Sequence, residues 1–209
     1  MNNHNERKKH WDNVYKNKQP DKLSWYEKYP VVSFDMIDAT GVGPDANIID
    51  VGGGTSSLAE HLLRNGYRRI TVLDIAPSAL EMAKERLGDK ANDVKWIEAD
   101  IMDVSLTEDY DVWHDRAVFH FLAGAQDRKR YIDAVKQSLK MGGHIIVATF
   151  SIDGPLKCSG LDVVRYSPQT LHNEFGSDFF TLIESIGIEH ITPANEKQKF
   201  VFCRFKRVR

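Results

Sequence analysis

Short apolar runs alternate with amphipathic segments over residues 47–150 of this chain. The apolar runs are rich in Val, Ile and Leu, which is typical of strands that are buried on both faces of a sheet. The segments between them repeat their apolar residues at helical spacing. This alternation predicts an α/β protein in which a parallel sheet carries helices on both faces. The predicted strands are 47–51, 70–74, 94–98, 110–114 and 144–150, and the predicted helices are 55–65, 77–87 and 127–140.

The pattern changes beyond residue 150. Residues 151–165 are rich in Gly, Pro and Ser and predict a loop, and a short helix is expected over 167–175. Residues 179–190 and 199–206 predict two long strands joined by a Pro-Ala-Asn turn region. We therefore expect an antiparallel hairpin at one edge of the sheet.

The first 44 residues predict helices and carry several aromatic side chains. We expect a single structural domain, in which residues 1–44 form a helical N-terminal extension and residues 45–209 form the α/β body. The expected aromatic anchors of the extension are Trp11, Tyr15, Trp25, Tyr26 and Phe34.

Composition excludes several classes of protein. The 28 Lys and Arg residues against 30 Asp and Glu residues leave a net charge of −2, so no broad basic field is expected to hold a nucleic-acid backbone. Two cysteines are too few for a disulfide framework or a Cys-based zinc site, and His, Asp and Glu do not cluster at metal-ligand spacing. No apolar run approaches the length of a membrane helix, and the polar start is unlike a secretory signal. We expect a cytoplasmic protein with no metal site and no nucleic-acid or membrane partner.

The strongest functional signal is the glycine cluster that follows the first predicted strand. In Asp50-Val-Gly52-Gly53-Gly54, the glycines allow the backbone to approach a ligand closely and to adopt positive φ. The start of the next helix offers free N–H groups to an anionic group. A tight turn that binds nothing remains the alternative.

Asp74 lies 22 residues after Gly52, at the end of the second predicted strand. At that position of an open α/β sheet, an acidic side chain can accept hydrogen bonds from both hydroxyls of a ribose. The alternative is a helix N-cap or a solvated loop aspartate. A dinucleotide fingerprint, G-x-G-x-x-G, fits imperfectly because its last position is Ser57, whereas the form (D/E)-x-G-x-G fits Asp50, Gly52 and Gly54.

On these motifs the sequence resembles the class I S-adenosylmethionine-dependent methyltransferases over residues 45–150. The resemblance implies a Rossmann-like three-layer sandwich with a seven-stranded, mostly parallel sheet and an antiparallel C-terminal hairpin. It implies S-adenosyl-L-methionine as cofactor and S-adenosyl-L-homocysteine as product, with the N-terminal extension folded over the cofactor as a lid. The cofactor-binding residues that it implies are Asp50, Gly52, Gly53 and Gly54 for the methionine end, Asp74 and Ile75 for the ribose, Asp100 and Ile101 for the adenine, and Trp25 from the lid.

The fourth predicted strand ends in a dense polar set, where a parallel sheet places its ligands. The candidate catalytic residues are His114, Asp115, Arg116 and His120, with the two histidines as possible general bases. A purely structural role is the alternative for each. The candidate substrate-binding residues are Tyr26, Lys157, Arg165 and Tyr166. The arginines and Lys157 favour a polar acceptor with a carboxylate or another anionic group.

The predicted function is methyl transfer from S-adenosylmethionine to a polar small molecule or a protein side chain. The acceptor-side residues, including 114–116 and 154–166, also resemble a subgroup of small microbial methyltransferases similar to the lysine methyltransferases of citrate synthase and elongation factor 1A. Two alternatives stay open: a nicotinamide-dependent oxidoreductase and a non-catalytic cofactor-binding regulator. The sequence predicts neither the acceptor nor the oligomeric state.

Overall fold

The structure is a computed structural model that describes residues 4–209. Its centre is a seven-stranded sheet, and the first five strands of the chain run parallel within it. These strands are β1 (Asn47–Val51), β2 (Arg69–Asp74), β3 (Val94–Glu98), β4 (Tyr110–Arg116) and β5 (Leu139–Phe150).

Six α-helices are present in the described part of the chain, together with short 3-10 turns. The helices are α1 (His4–Asn17), α2 (Val31–Asp38), α3 (Leu58–Arg64), α4 (Pro77–Leu87), α5 (Ala125–Ser138) and α6 (Pro168–Phe175). None of the helices within residues 4–209 combines the length and the apolar character of a membrane span.

The chain closes with the predicted antiparallel hairpin. After the two-residue strands β6 (Lys157–Cys158) and β7 (Leu161–Asp162) come the long strands β8 (Phe180–Ile191) and β9 (Lys197–Arg207). β9 is inserted between β5 and β8 and pairs antiparallel with both, so the sheet order is β3-β2-β1-β4-β5-β9-β8. The predicted seven-stranded, Rossmann-like architecture is confirmed.

The core lies on both faces of the sheet because successive side chains of a strand point to opposite sides. Ile48 packs into the cluster on one face, and Ile49 packs into the cluster on the other. All five residues of β1 are buried, as expected for a central parallel strand.

Most element boundaries lie within two residues of the predictions, and two differ by more. β5 begins at Leu139, before the predicted start at residue 144, because a register shift lets Leu139 pair with Tyr110 while His144 pairs with Val112. α3 is shorter than predicted and begins at Leu58, because the residues after Gly52 form the turn that leads into it.

Candidate active site

A cavity opens at the carboxyl ends of the parallel strands, beneath α1. It encloses about 910 Å³ of space that protein atoms do not fill, part of it open to solvent. A smaller space of about 490 Å³ adjoins it on the other side of the glycine loop and shares Trp25, Gly52 and Arg116 with it. The predicted cofactor residues in the wall of the larger cavity are Trp25, Gly52, Asp74, Ile75, Asp100 and Ile101; Asp50 and Gly53 line the smaller one.

The glycine loop cannot carry side chains in this conformation. Gly52 has φ +68°, and a Cβ atom there would lie 2.0 Å from a methyl carbon of Val118. Gly54 has φ +46°, and its Cβ would lie 2.7 Å from the Tyr15 hydroxyl oxygen and 3.0 Å from an Asp74 carboxylate oxygen. Gly54 therefore allows the loop to approach α1 and the end of β2 closely, although it lines neither cavity, and Gly52 allows the loop to pass Val118 in the wall of the larger cavity.

Asp74 is buried where this loop approaches the end of β2. Its Oδ1 accepts a hydrogen bond of 2.8 Å from the amide of Ala76, so it also organises the turn into α4. Burial, helped by the neighbouring Asp50 carboxylate and opposed by the backbone hydrogen bonds, raises the pKa of Asp74 to about 7. This carboxyl therefore changes its charge near neutral pH.

Asp100 lies in the cavity wall, and both of its carboxylate oxygens accept hydrogen bonds from the protein. The Oδ2 atom accepts from Nε and Nη2 of Arg7 at 2.8 and 2.7 Å, and Oδ1 accepts from the amide of Met102 at 3.1 Å. Potential metal ligands from Asp100, His4 and Asp103 also lie within 4.8 Å of one another. The Arg7 guanidinium already supplies positive charge to the Asp100 carboxylate.

His114 connects Asp50, at the end of β1, to α2. Its Nδ1 lies 2.7 Å from Oδ1 of Asp50 and its Nε2 lies 2.9 Å from the Ser33 hydroxyl. A carboxylate oxygen accepts hydrogen bonds, so Nδ1 donates to Asp50, while the Ser33 hydroxyl can donate to or accept from Nε2. His114 is 2 % exposed and both of its nitrogens are occupied, so it holds the strand end and is not free to take a proton from a substrate.

Asp115 and His120 were predicted beside the reacting groups, but the structure places both behind the cavity wall. The Asp115 carboxylate accepts from the amides of Val118 and Phe119 and from the Tyr131 hydroxyl, which fixes the turn after β4. Burial raises the pKa of Asp115 to about 6. Burial, with the nearby Arg116 charge, lowers the pKa of His120 to about 3, so its ring stays neutral.

Arg116 alone of the four predicted catalytic residues lines the larger cavity. Its guanidinium donates to the Trp25 carbonyl at 2.8 Å and forms an ion pair with Glu27 at 2.9 Å. The same group lies 5.4 Å from the centre of the Phe200 ring. Arg116 therefore joins the N-terminal segment to the far side of the sheet across the cavity.

The predicted substrate residues are dispersed. Tyr26 lines the smaller cavity, but neither cavity wall includes Lys157, Arg165 or Tyr166. Lys157 is exposed and pairs with Asp162 across the β6–β7 hairpin, and Arg165 is exposed and donates to a loop carbonyl. Tyr166 is 2 % exposed and packs against Phe119 in the core. The hairpin folds these charged side chains outward, so the expected cationic wall is not formed.

Several cavity residues were not predicted as site residues. Trp11 and Tyr15 were expected as aromatic residues of the lid that pack over the cleft, but not as ligand-binding residues, and Arg7 was not singled out. Gln198 and Phe200 reach the cavity from β9, where alternate residues share one face of the strand. The aromatic density of the first 44 residues was a usable signal, whereas nothing in the local sequence marked β9. The additional lining residues are Arg7, Trp11, Tyr15, Val51, Leu73, Ala99, Met102, Ala117, Val118, Phe121, Leu122, Cys158, Gln198 and Phe200.

Comparison with known proteins shows what this chain is similar to. Residues 49–147 match the family model described as a methyltransferase domain. The chain is similar to malonyl-[acyl-carrier protein] O-methyltransferase of Anoxybacillus flavithermus, with 31% identity over 135 residues, which are 62% of this chain and 50% of that protein. It is also similar to nodulation protein S of Rhizobium tropici, with 26% identity over 104 residues, covering 50% and 43%. The chain thus spans about half the length of the curated relatives it matches.

A solved structure shares the fold over nearly the whole chain. The N-methyltransferase NodS from Bradyrhizobium japonicum, in complex with S-adenosyl-L-homocysteine, superimposes with a TM-score of 0.71 at 16% identity. The superposition covers 94% of this chain and 97% of that one. Residues 49–147 are thus similar to a methyltransferase domain, and nearly the whole chain shares its fold with a solved methyltransferase.

Proposed function

We propose that this protein transfers a methyl group from S-adenosyl-L-methionine to a polar acceptor and releases S-adenosyl-L-homocysteine. The observation that carries the proposal is that the positive-φ Gly52 and the buried Asp74 carboxylate lie in the wall of one cavity. A backbone without Cβ atoms and an acidic group at the end of β2 are the two features that a nucleoside-containing cofactor requires here.

The residues of the two adjoining cavities fit this cofactor. Asp74 would accept the ribose hydroxyls, with Ile75 beside it, and Ile101 would cover the adenine. Asp100 would receive the adenine amino group by sharing or exchanging its bond to Arg7. Asp50 and the glycine loop would hold the methionine end, with Asp50 oriented by His114 and Trp25 closing the site from above.

The cofactor supplies an intrinsically electrophilic methyl group, so the protein has to align the acceptor and exclude water. Water would be excluded by three aromatic rings, those of Trp11, Trp25 and Phe121. The centre of the Trp11 ring lies 4.9 Å from that of Phe121 and 6.0 Å from that of Trp25, and both contacts are edge-on. We propose that α1 and the segment through Trp25 act as the lid of this site.

A small-molecule acceptor is favoured over a protein side chain, because α1 covers the cavity and Arg7 ties it to Asp100 at the mouth. The relatives do not choose between the two acceptor types, since one is named for a reaction on a carrier protein. The resemblance to protein lysine methyltransferases stays a prediction.

The test incubates the protein with methyl-labelled S-adenosylmethionine and a cell extract separated into small-molecule and protein fractions. We expect label to appear in the small-molecule fraction. Calorimetry with S-adenosylhomocysteine and with NAD runs in parallel. Binding of NAD without binding of S-adenosylhomocysteine would establish the oxidoreductase alternative, and cofactor binding without any label transfer would establish the regulator.

A further inference from the structure

The N-terminal half of α1 is held to the end of β3 by ion pairs. Arg7 donates to Oδ2 of Asp100 through Nε and Nη2, at 2.8 and 2.7 Å, and the Lys8 ammonium lies 2.5 Å from Oε1 of Glu98. Arg7 also lies 3.8 Å from Asp103. One face of the helix is therefore paired with one short acidic segment, residues 98–103, which comprises the end of β3 and the turn that follows it.

The other end of α1 is fixed by different contacts. The helix ends at Asn17, and Leu23, which follows shortly after it, is 1% exposed. Asp12 accepts a hydrogen bond of 3.1 Å from the Ser78 amide at the start of α4. A helix rises about 1.5 Å per residue, so the two cations lie roughly 15 Å from the C-terminal end of α1. The ion pairs thus act where a swing of the helix about that end would be widest.

α1 closes the larger cavity without belonging to the main core. Arg7, Trp11 and Tyr15 line the cavity, yet neither large core cluster includes a residue of α1 among residues 4–209. The helix can therefore move away from the sheet without exposing the two large clusters. Such a movement would uncover the cavity.

We infer that the ion pairs between Arg7 and Lys8 of α1 and the acidic segment form a latch that sets the rate at which S-adenosylmethionine and S-adenosylhomocysteine enter and leave the site. This inference rests on the proposed function and adds a means of regulation to the same site. Asp100 belongs to both the latch and the cavity wall, whereas Lys8 and Glu98 line neither cavity.

The outer pair, Lys8 and Glu98, separates the latch from ligand contact. Because neither side chain lines a cavity, their ion pair can persist whether or not a ligand is bound. Weakening it destabilises the closed helix equally in both states. Association and dissociation should therefore accelerate by the same factor, and Kd should stay the same.

The test exchanges the charges of this pair and follows S-adenosylhomocysteine binding by stopped-flow tryptophan fluorescence, since Trp11 and Trp25 line the cavity. Lys8→Glu opposes two carboxylates, and Glu98→Lys opposes two ammonium groups. We expect either variant to raise both rates about fivefold, because a half-exposed ion pair is replaced by a repulsion. The double variant Lys8→Glu/Glu98→Lys restores the pair and should return both rates to those of the unaltered protein.

The matched control is Lys9→Glu, which makes the same change in net charge. Lys9 is exposed on the same helix and forms no ion pair within the described part of the chain, so both rates should be unchanged. Hydrogen exchange measures the latch without a ligand: the amides of residues 4–17 should exchange about fivefold faster in Lys8→Glu, with the sheet unaffected, and recover in the double variant.

Equal rates in Lys8→Glu and Lys9→Glu, or a double variant that stays as fast as the single ones, would overturn the latch. Failure of the proposed function gives a different result, because S-adenosylhomocysteine would then not bind to any of the proteins, and the latch would lose its role with it. Binding of S-adenosylhomocysteine at rates that ignore the charge exchange contradicts the latch alone.

Discussion

Ionisation of the Asp74 carboxyl group is expected to control how cofactor binding depends on pH. Its pKa of about 7 results first from burial, and the carboxylate form is the one that accepts two ribose hydroxyl bonds. We expect S-adenosylhomocysteine to bind more tightly as the pH rises from about 6 to about 8, because proton loss prepares the acceptor. Asp74→Asn should weaken binding by about 1.5–3 kcal/mol and flatten this pH dependence.

The same carboxyl affects stability with the opposite sign in the free protein. A folded-state pKa above the unfolded value of about 4 means that the folded state binds more protons between those pH values, so the free energy of unfolding falls as the pH rises toward 7. Asp115, with a pKa of about 6, acts in the same direction. Urea unfolding of Asp74→Asn should therefore show a smaller loss of stability between about pH 6 and 7 than the unaltered protein. An identical slope would contradict the elevated pKa.

His114 is expected to act through Asp50. Replacing it by Leu leaves the buried Asp50 carboxylate without its 2.7 Å partner, which should lower the free energy of unfolding by about 1–3 kcal/mol. Ser33→Ala removes only the outer hydrogen bond of the chain and should cost less. If His114 were instead the general base, His114→Leu would stop methyl transfer while stability and cofactor affinity stayed the same.

Arg116 and Arg165 provide a matched pair. Arg116 lines the cavity and contacts Trp25, Glu27 and Phe200, whereas Arg165 is exposed. Arg116→Ala should lower kcat/KM for the acceptor at least tenfold, with a smaller effect on the affinity for S-adenosylhomocysteine, and Arg165→Ala should leave both unchanged. Equal losses in the two variants would mean that the effect does not come from the cavity wall.

At the scale of elements, α1 is the part of the molecule whose removal the sheet should survive. The two large core clusters contain no residue of α1 among the described residues, and Tyr15 belongs to a separate small cluster with Leu23, Ala76 and Ala79. Yet Arg7, Trp11 and Tyr15 line the cavity. Deleting residues 1–17 should weaken cofactor binding at least tenfold while circular dichroism still reports the folded sheet.

Two point variants on the same helix check that deletion. Trp11→Ala removes an aromatic wall and should weaken cofactor or acceptor binding, whereas Lys9→Ala, at an exposed position, should leave both affinities unchanged. Full turnover and full affinity in the truncated protein would show that α1 is not the lid.

At the scale of the whole molecule, a ligand that binds only the folded state raises its stability by mass action. S-adenosylhomocysteine at about a hundred times its Kd should add about 2.7 kcal/mol, which corresponds to roughly 5–10 °C in Tm for a chain of this size. NAD at the same concentration should leave Tm unchanged. Differential scanning calorimetry measures both, and a shift with NAD alone would contradict the family-based assignment.

Much of this molecule follows from local patterns in the chain. Apolar runs separated by helical segments predicted the five parallel strands, and the terminal hairpin was visible as two β-rich runs with a turn between them. Gly52, Gly54 and Asp74 could also be predicted as cofactor residues, because a glycine-rich turn and an acidic strand end are short local patterns that do not depend on distant parts of the chain.

The roles of individual side chains depended on neighbours that only folding supplies. The pairing of β1 with β4 places Asp50 beside His114. His114, a candidate general base in the sequence, therefore holds the Asp50 side chain in place. Arg7 meets Asp100 across 93 residues of chain, and β9 enters the sheet next to β5, which brings Gln198 and Phe200 to the cavity. The sequence by itself determined the fold and the cofactor-binding motifs, since both arise from short-range pattern; the cavity walls that α1 and β9 supply, made of side chains from distant segments, were decided by the tertiary structure alone.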